Sequence, residues 1–256
     1  MQEQKNNLYI PGAIILAGFL IAGGIYMSND KGNTSNVNNT IKKADITLNP
    51  VSKADNILGN PNAPIIIVEF SDTECPFCKR FHTNMHSVID TYGKDGKVAW
   101  IYRHFPLDSL HQKSRKEAEA VECANELGGS DAYWKVLDAI YTNTTSNDGL
   151  DAKKLPEFAK TAGLDVANFN ECLSSGRMAN AVESEYQDGL KAGVRGTPFS
   201  IMLLDKSLKS DAENEIMQFI QTNGLQENIT ILDKKITLNG ALPSELITPI
   251  IDIVLK

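Results

Sequence analysis

A short apolar segment that ends just before a Cys-Pro-Phe-Cys sequence constrains this chain most strongly. Residues 64–71 read PIIIVEFS and are rich in β-branched side chains, which predicts a buried strand. Pro76 directly follows Cys75, and a proline in the first turn of a helix costs no hydrogen bond, so we predict a helix over residues 76–92. A cysteine pair at the point where a strand turns into a helix is typical of an α/β domain.

Two cysteines three positions apart can close a small, reversible disulfide. Cys75 lies at the predicted helix N-terminus, where unpaired backbone N–H groups and the helix dipole stabilise a thiolate. A stabilised thiolate has a lowered pKa and is a good attacking and leaving group. Cys78 lies one turn further along the helix, where it is shielded and would resolve a mixed disulfide.

Half of a zinc site is the alternative interpretation of the same segment, because His82 and His86 follow Cys78 at spacings of four. On one continuous helix Cys78 and His86 would lie about 12 Å apart along the axis, too far for a single zinc ion. We therefore expect no metal site here, and we expect both histidines to be surface or partly buried helix residues.

The remaining elements are predicted in the following order: strand 97–103, a helical block over 112–192 that is broken at glycines, strand 199–204, helix 211–222, strand 235–238 and helix 243–255. Of 256 residues, 42% are hydrophobic, which is enough for a sizeable core. The formal charge of −7 argues against a nucleic-acid partner, which would require a basic surface.

The N-terminal segment predicts a membrane anchor. Residues 8–27 carry no charged side chain, and 20 residues of helix span about the 30 Å of a bilayer interior. We interpret residues 1–27 as an uncleaved anchor. A cleaved signal peptide is the alternative, although its apolar region is usually shorter. Residues 28–49 are predicted to be a flexible linker, because Asn, Ser, Thr and Gly dominate its first half, and the folded domain is predicted over residues 50–256.

Five sequences occur in the order of one known family: NPNAP at 60–64, VEFSDTECPFCKRF at 68–81, YRHFPL at 102–107, GVRGTPFSI at 193–201 and LNGALP at 238–243. With them the chain resembles the DsbA-like branch of the thioredoxin superfamily, and more narrowly its membrane-anchored bacterial thiol:disulfide oxidoreductases. The resemblance implies a thioredoxin fold with an inserted α-helical domain at about residues 111–192, and no bound cofactor.

The resemblance also implies roles for individual residues near the cysteine pair. Pro198 corresponds to the family's cis proline, which faces the cysteines, and the backbone of Thr197 would pair with an extended substrate segment. The alternative is an ordinary trans proline before a strand. Pro76 and Phe77 lie between the cysteines and would contact substrate. Because the family's best-known strong oxidant has histidine at the position of Phe77, we expect a weaker oxidant here.

Two glutamates lie close to the pair in sequence. Glu69 corresponds to an acid that the family places in the strand, where an apolar environment should raise its pKa so that it exchanges a proton with Cys78 through a water. The alternative is a solvent-exposed glutamate at a strand edge. Glu74, directly before Cys75, is expected to be exposed.

A second cysteine pair, Cys123 and Cys172, falls in the helical block, where related proteins often carry a second disulfide. If bonded, it closes a loop of 49 residues and contributes roughly 4 kcal/mol in the chain-entropy model. Two buried free thiols are the alternative. A structural disulfide would indicate an oxidising compartment outside the cytoplasmic membrane. The lysines that flank the predicted anchor do not by themselves favour that orientation.

The function expected is therefore disulfide donation from the Cys75–Cys78 pair to reduced or unfolded secreted proteins. The expected location is the cell membrane, with a single membrane pass and the catalytic domain in the periplasm or at the cell exterior. The resemblance implies a DsbB-like or VKOR-like membrane partner that reoxidises the pair. A reductase or isomerase with the same site, and a tethered binding module or chaperone without enzymatic activity, are the alternatives.

Overall fold

The structure is a computed structural model that describes residues 46–256. The predicted anchor, residues 1–27, and most of the predicted linker, residues 28–49, lie outside the described residues. Within the described part of the chain, every helix is too short or too polar to cross a bilayer.

A mixed sheet forms the centre of the domain. Its strands are β1 (Ile57–Gly59), β2 (Ile65–Ser71), β3 (Val98–His104), β4 (Phe199–Leu204), β5 (Ile229–Ile231) and β6 (Lys235–Asn239), arranged in the order β1-β3-β2-β4-β6-β5. β2 and β3 are parallel, and the other neighbours are antiparallel. The four predicted strands are confirmed. β1 and β5 have no counterpart in the prediction, because three residues are too few to show an alternating pattern.

The helices are α1 (Pro76–Tyr92), α2 (Ser114–Asn143), α3 (Leu155–Thr161), α4 (Val166–Ser175), α5 (Ala179–Lys191), α6 (Ser210–Thr222) and α7 (Ser244–Val254), with a short 3-10 turn at Ala152–Lys154. α2 is interrupted at Gly129, whose φ of 69° lies in the left-handed region that glycine adopts without steric cost. This interruption agrees with the predicted break in the helical block.

Helices cover both faces of the sheet. On one face Ile65 and Ile67 of β2 pack in the main core with residues of α1 and α7. On the other face Val68 and Phe70 belong to a smaller core, and α5 approaches so closely that a Cβ added at Gly189 would lie 3.0 Å from Phe70. A strand that is buried on both faces reads as a continuous apolar run, which explains the pattern of residues 64–71.

The helical block, α2 to α5, lies in sequence between β3 and β4, as expected for an insertion at about residues 111–192. Cys123 of α2 and Cys172 of α4 are joined by a disulfide with their Cα atoms 5.9 Å apart. The segment between β4 and β6 adds α6 and the edge strand β5, so it extends the sheet by one strand.

The start of the described chain contacts the domain. Ile46 and Leu48 pack against the smaller core, and the backbone N–H of Asn49 donates to Asp188 Oδ1 at 2.8 Å. The buried Arg103 guanidinium donates to Asp188 Oδ2 at 2.6 Å and to Asp55 Oδ1 at 2.9 Å. These ionic contacts join the N-terminal segment of the domain to β3 and α5.

Replacing both cysteines of the second pair, Cys123→Ala with Cys172→Ala, should lower the free energy of unfolding by roughly 2–4 kcal/mol, because the unfolded chain regains the freedom of a 49-residue loop. Chemical denaturation followed by circular dichroism measures this. The matched control replaces Cys75 and Cys78, which lie only three positions apart, and should change stability less when all proteins are compared without reductant. Equal stability of the two double variants would contradict a stabilising disulfide between Cys123 and Cys172.

Candidate active site

Cys75 lies where the loop after β2 enters α1. It is the N-cap residue of the helix, with extended backbone angles (φ −76°, ψ 122°), and Pro76 follows in the first turn. No side chain of the described residues caps this helix end, so the first backbone N–H groups are free to act on the Cys75 sulfur. Cys75 itself is only 4% exposed.

The loop before β4 reaches the same point from the other side. Thr197 and Pro198 are joined by a cis peptide bond, and the carbonyl oxygen of Thr197 accepts from the Cys75 thiol at 3.5 Å. The contact follows from the sheet, because β2 and β4 are antiparallel neighbours with Phe70 opposite Phe199. Residues 122 positions apart in sequence are thereby brought together.

The two sulfurs have opposite electrostatic character. A hydrogen bond from the Cys78 thiol, assisted by N–H groups at the helix start, lowers the pKa of Cys75 to about 6 despite the cost of burial. Burial and the neighbouring Cys75 raise the pKa of Cys78 well above its ordinary value. At neutral pH the first sulfur is therefore ionised and the second holds its proton.

Glu69 lies fully buried beneath the pair. It shares the face of β2 that packs toward α1, and the indole Nε1 of Trp100 donates to Glu69 Oε2 at 2.9 Å. The other oxygen, Oε1, has no hydrogen-bond partner within the described part of the chain. Burial raises the pKa of Glu69 to about 8, so this carboxyl is protonated at neutral pH. A solvent-exposed glutamate at a strand edge, the alternative interpretation, does not agree with this burial.

The expectation that Glu74 is exposed is wrong, because the residue is fully buried. Its carboxylate accepts from the Thr144 hydroxyl at 2.9 Å and from the backbone N–H groups of Gly149 and Leu150, each at 3.0 Å. These donors belong to the segment after α2, which no local pattern connects to the cysteine loop. Glu74 fastens that segment to the loop that carries Cys75.

His111 is a further neighbour of the site. Its Nδ1 lies 3.0 Å from Asp72 Oδ2, and Asp72 also accepts from the backbone N–H of Leu107 at 2.7 Å. Burial lowers the pKa of His111, but the hydrogen bond and charge of Asp72, together with the Cys75 charge, outweigh it and raise the pKa. Asp72 follows β2 directly and His111 lies in the loop before α2, so only their shared position at the end of the parallel strands could have indicated the pair.

The residues between the cysteines face solvent. Pro76 is exposed, Phe77 is 55% exposed, and the Arg80 guanidinium lies 5.4 Å from the centre of the Phe77 ring. Because Cys75 is buried beside them, a partner molecule that reaches its sulfur has to contact this exposed apolar rim.

Two groups of side chains within residues 46–256 have the composition of metal ligands. One consists of His82, His86 and Asp138, and the other of His104, Glu122 and Glu185. The second is largely buried, and Glu185 there accepts from the backbone N–H of His104 at 2.6 Å, which gives it a structural explanation. Neither includes Cys75 or Cys78.

The family model described as Thioredoxin matches residues 52–222, which is more than half of the chain. The chain belongs to the thioredoxin family. Its fold is similar to that of DsbA2 from Pseudomonas aeruginosa, which is 23% identical, with a TM-score of 0.57 over 79% of this chain and 96% of that chain. The α-DsbA1 of Wolbachia pipientis is 23% identical, with a TM-score of 0.59 over 80% and 92%.

Oxidised BdbD from Bacillus subtilis is 24% identical, with a TM-score of 0.55 over 69% of this chain and 96% of that chain. Among curated proteins, the Na(+)/H(+) antiporter NhaA 1 of Mycolicibacterium gilvum is 29% identical over 59% of this chain and 24% of its own length. The NhaA 3 antiporter of Salinispora tropica is 30% identical over 56% and 21%. The chain thus spans about a quarter of the length of these relatives.

The opposite pKa shifts predict selective alkylation of the reduced protein. With iodoacetamide, Cys75 should react with a pH midpoint near 6, and Cys78 should stay unmodified up to pH 9, because only the first sulfur is ionised in that range. Mass mapping of the alkylated peptides measures this. A Cys75 that is protonated at neutral pH and reacts no faster than free cysteine would contradict the description of the site.

The buried Glu69 predicts a loss of stability with rising pH in the disulfide form, in which neither Cys75 nor Cys78 titrates. Its pKa rises from 4.5 to about 8 on folding, so between these values the folded state keeps a proton that the unfolded state has lost. Stability falls over that range, by on the order of a few kcal/mol. Glu69→Gln should reduce this fall, whereas the exposed Glu171→Gln should leave it unchanged. If the free energy of unfolding changes by the same amount between pH 5 and pH 8 in all three proteins, the pKa of Glu69 is not raised.

Proposed function

We propose that the chain is a thiol:disulfide oxidoreductase that donates the Cys75–Cys78 disulfide to other proteins. The observation that supports this most is the Cys75 sulfur at the start of α1, 3.5 Å from the Thr197 carbonyl and with a pKa lowered to about 6. A stabilised Cys75 thiolate makes the reduced pair the more stable form, so the disulfide is given up readily.

In the proposed reaction a substrate thiolate attacks the Cys75 sulfur. A substrate–Cys75 disulfide forms, the Cys75–Cys78 bond breaks, and Cys78 leaves as a thiolate that takes up a proton. A second substrate thiolate then attacks the substrate sulfur of the mixed disulfide. The substrate leaves oxidised and Cys75 leaves as a thiolate, so the two electrons from the substrate remain on the reduced pair. The low pKa of Cys75 favours this last step, because a weakly basic thiolate is the better leaving group.

We propose Glu69 as the group that supplies the proton to Cys78. Its buried carboxyl is protonated at neutral pH, and one of its oxygens has no partner among residues 46–256. The high pKa of Cys78 means that the departing thiolate needs a proton from nearby. A water between Cys78 and Glu69 would complete the transfer.

We further propose that substrate lies along the edge formed by Thr197 and Pro198. The loop before β4 brings its backbone next to the reactive sulfur, and an extended segment could pair with it as an added strand. The exposed Phe77 and Pro76 would contact apolar side chains of the substrate. Backbone pairing together with a small apolar contact would suit many unfolded clients.

The proposed location is outside the cytoplasmic membrane, with residues 1–27 as the anchor. The Cys123–Cys172 disulfide supports it, because such bonds persist in oxidising compartments. One solved structure with the same fold is that of a periplasmic thioredoxin-like protein from Salmonella enterica, at 15% identity and a TM-score of 0.51. The clients would then be reduced secreted proteins, and reoxidation would require a DsbB-like or VKOR-like membrane protein.

Trapping the mixed disulfide tests the proposal. With an unfolded client that has a single cysteine, Cys78→Ser preloaded at Cys75 with a small mixed disulfide should accumulate a covalent complex, because no second client thiol resolves it. Cys75→Ser should form no such complex and should not oxidise a client that has two cysteines. Non-reducing electrophoresis and the rate of client oxidation are the measurements. The double variant Cys123→Ala with Cys172→Ala is the matched control and should keep oxidising activity.

The reduction potential of the pair decides the direction of the reaction. A potential near that of thioredoxin, about −270 mV, would contradict disulfide donation and favour the reductase alternative. A client that is neither oxidised nor reduced by the protein or by any of its variants would favour a binding module or chaperone instead.

A further inference from the structure

The middle of α1 carries a second cluster of polar side chains, separate from the cysteine pair. His82 and His86 lie one turn apart on α1, and Asp138 lies on α2 of the inserted block. Asp138 Oδ1 is 2.7 Å from His82 Nε2 and 2.9 Å from His86 Nε2, and the two Nε2 atoms are 3.2 Å apart. Three potential ligand atoms therefore converge on one point.

Hydrogen bonds cannot account for all three of these short contacts at once. A neutral imidazole carries a single N–H proton, and a carboxylate carries none. If both Nε2 atoms are protonated, each donates to Asp138 and their own short contact brings two N–H groups together. If one Nε2 is bare and accepts from the other, its contact with Asp138 brings two lone pairs together. One of the three short contacts always lacks a suitable proton.

A metal ion would satisfy all three atoms at once, because each offers a lone pair. Zinc bonds to histidine nitrogen and carboxylate oxygen at about 2.0–2.2 Å. For a triangle with the observed sides, a point about 2.1 Å from all three atoms exists just outside their plane. The remaining positions around such an ion would face away from the three ligands.

We propose that His82, His86 and Asp138 form a site for a divalent transition-metal ion such as Zn²⁺, with at least one coordination position left open. A site of two imidazoles and a carboxylate binds such ions in preference to Ca²⁺ or Mg²⁺. The side chains of His86 and Asp138 are 36% and 42% exposed, so solvent reaches the site.

The surroundings of His82 are compatible with this role. Its ring lies 4.4 Å from that of Tyr141 and 5.1 Å from that of Trp100, which hold it in place. Its Nδ1 is buried and has no hydrogen-bond partner among the described residues, so no hydrogen bond at Nδ1 fixes either tautomer. The tautomer with the proton on Nδ1 leaves Nε2 free to bind the ion.

This site differs from the zinc site considered above for Cys78, His82 and His86. That interpretation required Cys78 and His86 to share one ion along a single helix. Here the third ligand comes from α2, 52 positions from His86 in sequence. A bound ion would tie the helix that begins at Cys75 to the inserted block, and would resist separation of the two.

Zinc titration of the full chain tests this site independently of the proposed redox function. The protein is used in its disulfide form, because free Cys75 and Cys78 would themselves bind zinc. Isothermal titration calorimetry with Zn²⁺ alone should give about one ion per chain, and Zn²⁺ should raise the midpoint of thermal unfolding. His86→Gln and Asp138→Asn should each weaken Zn²⁺ binding about tenfold or more. Even substitutions of residues that only hydrogen-bond to metal ligands lower metal affinity by that factor.

Asp131→Asn is the matched control, because Asp131 is an exposed aspartate on the same helix that pairs with Lys135. It should bind Zn²⁺ like the unchanged protein. The ligand positions are partly exposed, and a circular dichroism spectrum of each variant verifies folding. Absence of binding, or equal binding by His86→Gln, Asp138→Asn and Asp131→Asn, would overturn the proposal. Either result leaves Cys75 reactivity, and hence the proposed oxidoreductase, unaffected.

Discussion

The close approach of the Cys75 sulfur to the Thr197 backbone, 3.5 Å from its carbonyl oxygen, is the contact on which the rest of the site depends. It requires a helix that starts at Pro76 and a β4 that runs antiparallel to β2, so that the loop before β4 ends beside the cysteine. Once both conditions are met, N–H groups of the helix and the Cys78 thiol stabilise the Cys75 thiolate. The reactivity of the Cys75 sulfur thus depends on the order and direction of the strands in the sheet.

Buried carboxyl groups surround this contact, and they play different physical roles. Glu74 is satisfied by a hydroxyl and two backbone N–H groups, which fasten a distant loop in place. At Glu69, burial outweighs the hydrogen bonds, among them the one from the Trp100 indole, and keeps the carboxyl protonated.

Helix α1 links several of these features because its faces differ. Its N-terminus presents Cys75, its inner face buries Cys78 against the sheet, and one turn further His82 and His86 meet Asp138 of α2. The disulfide between Cys123 and Cys172 lies within the inserted block and constrains the same α2.

The sequence by itself determined the strand, the proline-started helix and the place of Cys75, because these depend on local patterns of side chains and on neighbours within a few residues. The resemblance added Pro198 and Glu69, whose partners no spacing reveals. Only the tertiary structure decided that Glu74 is buried, that His111 meets Asp72 and that Asp138 joins two histidines. Each of these joins segments 35 or more positions apart, and such contacts arise from the packing of whole elements, which leaves no periodic signal in the chain.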